Sequence, residues 1–389
     1  MLKRVYVHNY KCLVNFEFKV DEDESFKHLS LFIGKNGAGK STLAEVLQVF
    51  QRIGRKQSNL KPLEDGVDEI KPVVDKDRMA MFCQDSYIQF ELTVEIGGHS
   101  VQYILILELP RGFSHLRVKE EKFFIDGNMR FTRTVAEIQF SNNQANSFVY
   151  DWHLIYLPIY NDRDKAFDEV LKSFMSWMGN IIILSPIPQN MQASLRGASS
   201  HIKPDGSNIA DWFVGLLERN PDAYSEARET YLKSALPDFK SVCTEADEYG
   251  KKFFYVIFVK DKREYKIRLD SLSDGERCLV LMLTILMANK SREPFLCFWD
   301  EPDSYLANSE IEYFIAALVK QFLQRGQIWM TTHHPETILH IPEHNIYLIY
   351  RKDHASHTRL PISVAEWRER VGYKGDFLAA WRQGDTEWD

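Results

Sequence analysis

No Cys-x-x-Cys pair occurs among the five scattered cysteines (Cys12, Cys83, Cys243, Cys278 and Cys297). That argues against a zinc site or a disulfide framework and suits a reducing compartment. There is no apolar run long enough to span a bilayer; the longest, Leu279 to Ala288, reads as a core helix. Positive charge is not in excess either. The formal net charge is −7, so the surface as a whole does not advertise nucleic-acid binding, although a local basic patch stays open. Internal repeats, low-complexity tracts and a long heptad region are all missing. The chain opens directly on a strand-like Leu2-Lys3-Arg4-Val5-Tyr6-Val7 without a signal peptide, and the expectation is a soluble, cytoplasmic protein with no membrane attachment.

What is present is ordinary in bulk: 389 residues, 44% hydrophobic and 26% charged, enough for a sizeable core in two lobes. The informative stretch is Gly34-Lys35-Asn36-Gly37-Ala38-Gly39-Lys40-Ser41, which fits G-x-x-x-x-G-K-[ST], the P-loop. Leu29 to Ile33 reads as a buried strand before it and Thr42 to Phe50 as a helix after it, the context the motif needs. The glycines let backbone amides and the helix N-terminus wrap a triphosphate. The candidate nucleotide ligands are Gly34, Asn36, Gly37, Ala38, Gly39, Lys40, Ser41 and Thr42. Lys40 would reach the β- and γ-phosphates, and the Ser41 hydroxyl would ligate Mg²⁺.

Along the chain, Lys3 to Phe18 reads as a hairpin-like opening and 54–80 as a polar surface loop. Tyr87–Ile96, Val101–Leu109 and Arg117–Ile125 alternate with period two and predict an antiparallel patch, with Gly97-Gly98 as a turn. Ala166–Met178 has helical spacing, and Ile181–Leu184 is a short buried strand. Residues 206–242 read as helical with a break at Asn220-Pro221, resuming to Ala235. Strands at Phe253–Val259 and Glu264–Leu269 follow. The expected division is 1–53 with 250–350 as a core lobe, 54–180 as an insertion, 181–249 as a strand and helical lobe, and 351–389 as a C-terminal segment.

The second half holds three further constellations. Asp300-Glu301 ends the apolar run Pro294–Trp299, the Walker B arrangement: Asp300 would hold Mg²⁺ and Glu301 would orient or deprotonate the attacking water. The same two acids would also serve as helix caps. Leu272-Ser273-Asp274-Gly275-Glu276 opens an apolar helix and is equally a plain capping box, Ser-x-x-Glu. His333, after what reads as a final buried strand, Gln327–Thr331, stands where open α/β sheets bind ligands; a structural histidine is the alternative. His334, His340, His344, His354 and His357 lack matching carboxylates or cysteines and are read as surface.

Taken in order, the P-loop, Leu-Ser-Asp-Gly-Glu, Asp-Glu-Pro and Thr332-His333-His334-Pro335 resemble the ABC-type ATPase heads of the SMC, RecF and OLD group. The likeness is strongest to stand-alone AAA-type ATP-binding proteins of bacterial phage-defence and toxin-linked operons. It extends to Val7-His8-Asn9-Tyr10-Lys11-Cys12-Leu13 and to Asp205-Gly206-Ser207-Asn208, and covers roughly residues 1 to 350, weakest across 54–180. The resemblance implies an α/β P-loop NTPase fold, ABC/SMC-head-like, with an inserted antiparallel β patch and a helical lobe. It implies ATP and Mg²⁺ as cofactors and a homodimer or higher homo-oligomer. Ser273 and Gly275 of one copy would close on the γ-phosphate held by Lys40 of another, with His333 as switch histidine and Gln189 as the Q-loop metal ligand. The signature departs from Leu-Ser-Gly-Gly-Gln, and Asp303–Asn308 replaces the Leu-His-Pro usual in the subgroup.

No zinc hook separates the halves, and no Asp-x-Asp follows Arg351, so neither an SMC arm nor a nuclease domain of the OLD kind is expected. The reading is an ATPase that controls a separately encoded effector, a nuclease or toxin, in anti-phage defence. The alternative is a RecF-like DNA-binding ATPase with a basic groove from Lys56, Lys61 and Lys71 or from Arg130 and Arg133. A transporter subunit is the third reading, and the β insertion and the altered signature count against it.

Overall fold

The computed structural model describes residues 1–20, 27–65, 68–140, 143–229, 236, 238–291, 293–354, 356–372 and 375–383. The chain divides into two compact units. One comprises Met1–Lys27, Ile33–Ile181 and Tyr347–Ser363; the other comprises His28–Phe32, Ile182–Ile346 and Val364–Asp389. Among the described residues no helix is long and apolar enough to cross a membrane.

The first unit is built on an eight-stranded sheet. From one edge its strands run Asn143–Val149, Glu137–Phe140, Asn128–Thr134, Arg117–Ile125, His99–Glu108, Tyr87–Ile96, Leu2–His8 and Phe16–Lys19, each antiparallel to its neighbour. The period-two reading holds: Ile88, Phe90, Leu92 and Val94 are buried while the residues between them are not. Gly97-Gly98 and Asp126-Gly127 turn the chain between paired ends, with φ of +58° and +82°, and +51° and +75°. Positive φ at both central residues matches the right-handed twist of the strands, which is why Gly-Gly and Asp-Gly sit there. Helix Lys40–Gly54 lays Phe50 edge-on against Phe90 of the sheet. Its last residue meets the end of helix Lys165–Gly179, where a Cβ on Gly54 would fall 2.2 Å from the Gly179 nitrogen.

Residues 54–80, expected as a surface loop, are anchored. Leu60, Val73 and Val74 are buried, Leu63–Asp65 pairs with Asp68–Ile70, and the Val73 amide donates to Asn59 O at 2.8 Å. Too few apolar residues mark this stretch for periodicity to find it.

The sheet also contains a fully buried charge pair. Glu121 accepts from Tyr103 Oη (2.9 Å) and from the amides of Tyr156 (2.9 Å) and Leu157 (2.8 Å), with Arg133 at 3.7 Å. Arg133 donates to Val135 O, Leu154 O and Asp151 O. Burial pushes the Glu121 carboxyl up and the Arg133 guanidinium down, toward the neutral forms; the surrounding donors and carbonyls oppose that.

The second unit contains a parallel sheet in the order Ile182–Leu184, Leu296–Asp300, Gln327–Thr331, Leu29–Ile33. These strands are nearly unbroken apolar runs, the pattern of a sheet covered on both faces. Helix Asp274–Ser291 is buried at every position from Cys278 to Asn289. Helix Ile209–Arg219 stops before Asn220, whose side chain accepts from Ala223 N at 3.1 Å and starts Pro221–Ala227. The helical reading fails from Phe239: Phe239–Ala246 is a strand in a three-stranded antiparallel sheet with Lys252–Lys260 and Arg263–Arg268. Phe239 pairs with Phe258 across strands, a non-local contact that overrides local propensity. The continuation expected over 230–235 lies outside the described residues. Gln327–Thr331 is not the last strand, since Ile346–Leu348 and Ile362–Ser363 follow and pair antiparallel.

Replacing Glu121 with Ala should cost about 3–5 kcal/mol, because it strands the Arg133 charge in the core. A chemical denaturation midpoint unchanged from wild type would show that the three carbonyls alone satisfy Arg133.

Candidate functional site

The first unit holds the glycine loop, Gly34 to Ser41. Gly34 can only be glycine: a Cβ there would lie 2.2 Å from Ile349 O. Gly37 and Gly39 have φ of +78° and +114°, and Gly39 is the N-cap of helix Lys40–Gly54. That cap has no side chain and the first helical turn no acid, which suits the positive helix end to an anion. Lys40 is buried, and its ammonium folds back on Gly34 O (2.8 Å) and Lys35 O (3.4 Å). Asn36 and Ser41 are exposed; Ala38 and Thr42 are buried.

A second stretch supports this loop. Thr358 Oγ1 donates to Ala38 O at 2.7 Å, and the Thr358 amide donates to Cys12 O at 2.8 Å. Arg351 Nη1 donates to Gly37 O at 3.3 Å. A Cβ on Gly39 would press within 3.0 Å of Thr358 Oγ1 and 3.1 Å of Cys12 Sγ. Sequence reasoning missed Cys12, Arg351 and Thr358, since no local pattern ties them to a loop so distant in the chain.

In the second unit, Asp300 closes its strand opposite Thr331 of the next. The Thr331 hydroxyl donates to Asp300 Oδ1 and accepts from the Glu301 amide at 3.0 Å. Glu301 leaves the strand at φ +49°, the left-handed region that few non-glycine residues adopt. Its carboxylate accepts from Ser304 Oγ at 2.9 Å and lies 3.8 Å from His333 Nε2. The structure thus brings Glu301 and His333 together, both with exposed side chains. Two residues after Glu301, Asp303 is buried and accepts from Thr332 Oγ1 (2.5 Å) and Thr337 Oγ1. Burial pushes the Asp303 carboxyl above its ordinary range. Thr331 and Asp303 had no motif to announce them, and the Thr332-His333-His334-Pro335 stretch gave Thr332 no role of its own. His334 accepts from Glu336 N as an N-cap; His340, His344, His354 and His357 are exposed, as expected.

The signature is a capping box. Ser273 N and Oγ both donate to Glu276 Oε2 (2.8 and 2.7 Å), and Glu276 N returns a bond to Ser273 Oγ at 3.3 Å. Gly275 lies against the segment after Glu301: a Cβ there would be 3.0 Å from Tyr305 O. Gln189 Nε2 donates to Asp274 Oδ2 at 2.5 Å, so the structure places it beside the signature.

Two residues named for a basic groove are engaged elsewhere. Arg133 is the buried partner of Glu121, and Arg130 makes two 2.8 Å bonds to Asp162 under Phe167. Lys56, Lys61 and Lys71 are exposed.

A family model described as AAA ATPase domain matches residues 1–270. An Smc head bound to the C-winged helix domain of ScpA is similar in fold, with a TM-score of 0.55 at 11% identity over 94% of this chain and 99% of that one. An Smc head with an extended coiled coil from Pyrococcus furiosus, bound to the C-terminal domain of ScpA, gives 0.50 at 10% identity over 95% and 98%. The fold is that of SMC heads. No curated protein matches the chain.

Thr331→Val keeps the shape but leaves the Glu301 amide without its acceptor. It should cost about 1–3 kcal/mol in denaturation, and no shift would remove the hydroxyl from the account. Asp303 gives a pH test. Its folded pKa is raised, so the folded state holds the proton longer and wild type loses stability as pH rises from 3.8 through the folded value. Melting temperatures of wild type relative to Asp303→Asn should fall over that window; a flat difference would contradict the shift.

Proposed function

Because the chain belongs to the AAA ATPase domain family, we propose that it is an ATPase that closes as a head-to-tail dimer around ATP and controls a separately encoded effector. The observation that carries the hydrolytic part is the pose of Glu301, an exposed carboxylate held on a left-handed backbone beside His333. A general base needs an accessible carboxylate with a fixed exit angle, and Thr331 and Ser304 fix it.

The remaining roles follow residue by residue. Gly34 to Thr42 wraps the phosphates and Lys40 neutralises them. Ser41 offers a hydroxyl, Asp300 a carboxylate and Gln189 an amide oxygen, each a hard oxygen donor of the kind Mg²⁺ takes. When bound, Mg²⁺ would neutralise phosphate charge. Glu301 takes the proton of the attacking water, and His333 steadies the same water or the γ-phosphate. Ser273 and Gly275, at a capped helix start, meet the nucleotide held by a second copy. The Smc heads named above are seen with a bound partner protein. By analogy this chain works in the cytoplasm with a partner, and anti-phage defence, with a nuclease or toxin as that partner, is the setting we favour from the sequence resemblance.

Lys40→Ala should abolish ATP binding in equilibrium dialysis. Glu301→Gln should bind ATP normally, hydrolyse it at least ~100-fold more slowly and accumulate as a dimer by native mass. Normal turnover by Glu301→Gln would exclude it as the base. Co-purification of that variant with the product of a neighbouring gene would support effector control; an ATP-dependent dimer that shifts duplex DNA at physiological salt would replace that reading with a DNA-binding one.

A further inference from the structure

Spacing along the chain argued against a zinc site, but spacing sees only neighbours in sequence. In the first unit, His8 at the end of strand Leu2–His8 meets Cys83 and Asp85, which precede strand Tyr87–Ile96. His8 Nε2 is 2.9 Å from Asp85 Oδ2. Cys83 Sγ is 3.4 Å from the same oxygen and 3.8 Å from His8 Nε2. A tetrahedral zinc with bonds of about 2.0–2.1 Å to nitrogen and oxygen and about 2.3 Å to sulfur spaces those atoms about 3.3 to 3.6 Å apart. The three observed edges bracket that range. We propose that His8, Cys83 and Asp85 bind one Zn²⁺ ion, with a water completing the shell on the open side where Asp85 is exposed.

The surroundings aim the ligands. His8 Nδ1 lies 2.7 Å from Asn15 Oδ1, which also accepts from Tyr6 Oη at 2.9 Å. A carbonyl oxygen only accepts, so Nδ1 carries the hydrogen and Nε2 turns its lone pair toward Cys83 and Asp85. An outer partner that fixes the tautomer in this way is usual for metal-bound histidine. The imidazole is buried and stacks on Tyr87 at 5.1 Å, which holds its plane. The segment bearing the other two ligands is pinned at both ends by one residue. Asn9 Nδ2 donates to Asp85 O and Tyr87 O, each at 2.7 Å, and Asn9 Oδ1 accepts from Ala80 N at 3.1 Å. Zinc would lock this loop, with its exposed Met81 and Phe82, onto the sheet.

The competing account is metal-free: an imidazolium paired with Asp85, and a Cys83 thiol donating to the same oxygen. The two differ in the state of the sulfur, which zinc needs as thiolate. Untagged, reduced full-length protein, stripped with chelator and free of nucleotide, is titrated with Co²⁺. We expect one equivalent to bind, with a thiolate-to-cobalt charge-transfer band and the strong visible bands of four-coordinate cobalt, both displaced by Zn²⁺. Cys83→Ser should lose the charge-transfer band, and Asp85→Asn should weaken binding by at least ~10-fold, the lower bound for losing even an outer-shell partner. Cys243→Ser, at the other described cysteine that is not buried, should retain both. No charge-transfer band in wild type, or a band that survives Cys83→Ser, would overturn the site in favour of the ion pair. Should Cys83→Ser fail to fold, wild type still decides by alkylation and peptide mass. Zinc should shield Cys83 from iodoacetamide and chelator should expose it, whereas equal labelling with and without zinc rejects the proposal.

Discussion

Strand register in the parallel sheet is the constraint on which the arrangement of Asp300, Glu301 and His333 depends. Asp300 lies opposite Thr331 because Leu296–Asp300 and Gln327–Thr331 pair without a slip from Leu296↔Gln327 onward. A one-residue shift would turn every side chain of the strand to the other face. With the register as it is, one hydroxyl bonds both the Asp300 carboxylate and the Glu301 amide. The next residue, Thr332, points the other way and bonds Asp303, and His333 returns to the side of Glu301. Two adjacent threonines thereby set the directions of three acids.

The glycine loop solves a different problem, close approach. Gly34 is fixed by a neighbouring carbonyl and Gly39 by both its φ and the Thr358 and Cys12 side chains. The loop is thus shaped from outside, by the stretch 349–358, as much as by its own sequence. That division explains what was legible. The P-loop, the Asp300-Glu301 pair and the Ser273–Glu276 box are short-range patterns whose physics lies within eight residues, and the sequence states them. Thr331 acts on Glu301 from 30 residues away, and Thr358 on Ala38 from 320. No window on the chain contains both partners.

The misreadings have the same origin. Arg130 and Arg133 look like surface cations in sequence, yet one is stacked and paired and the other lies in the core beside Glu121. Charge alone does not report burial; only the strand alternation of Asn128–Thr134, with Phe131 and Arg133 on the buried face, could have hinted at it. Phe239–Val242, the first half of strand Phe239–Ala246, was claimed by the helix before it because its partner strand lies beyond a turn. Residue 8 lies 75 positions from Cys83 and 77 from Asp85, so no spacing pattern along the chain could group the three.

The backbone at Glu301 carries a further implication. A left-handed residue other than glycine costs roughly 1–2 kcal/mol, against a total folding stability that for most domains is only about 5–15 kcal/mol. Glycine or asparagine would relieve that strain, so a chain optimised only to fold would not place glutamate at this position. With Glu301 as the proposed base, position 301 is where stability and the proposed hydrolysis ask for different residues, and the glutamate there sets a ceiling on how robust this fold becomes.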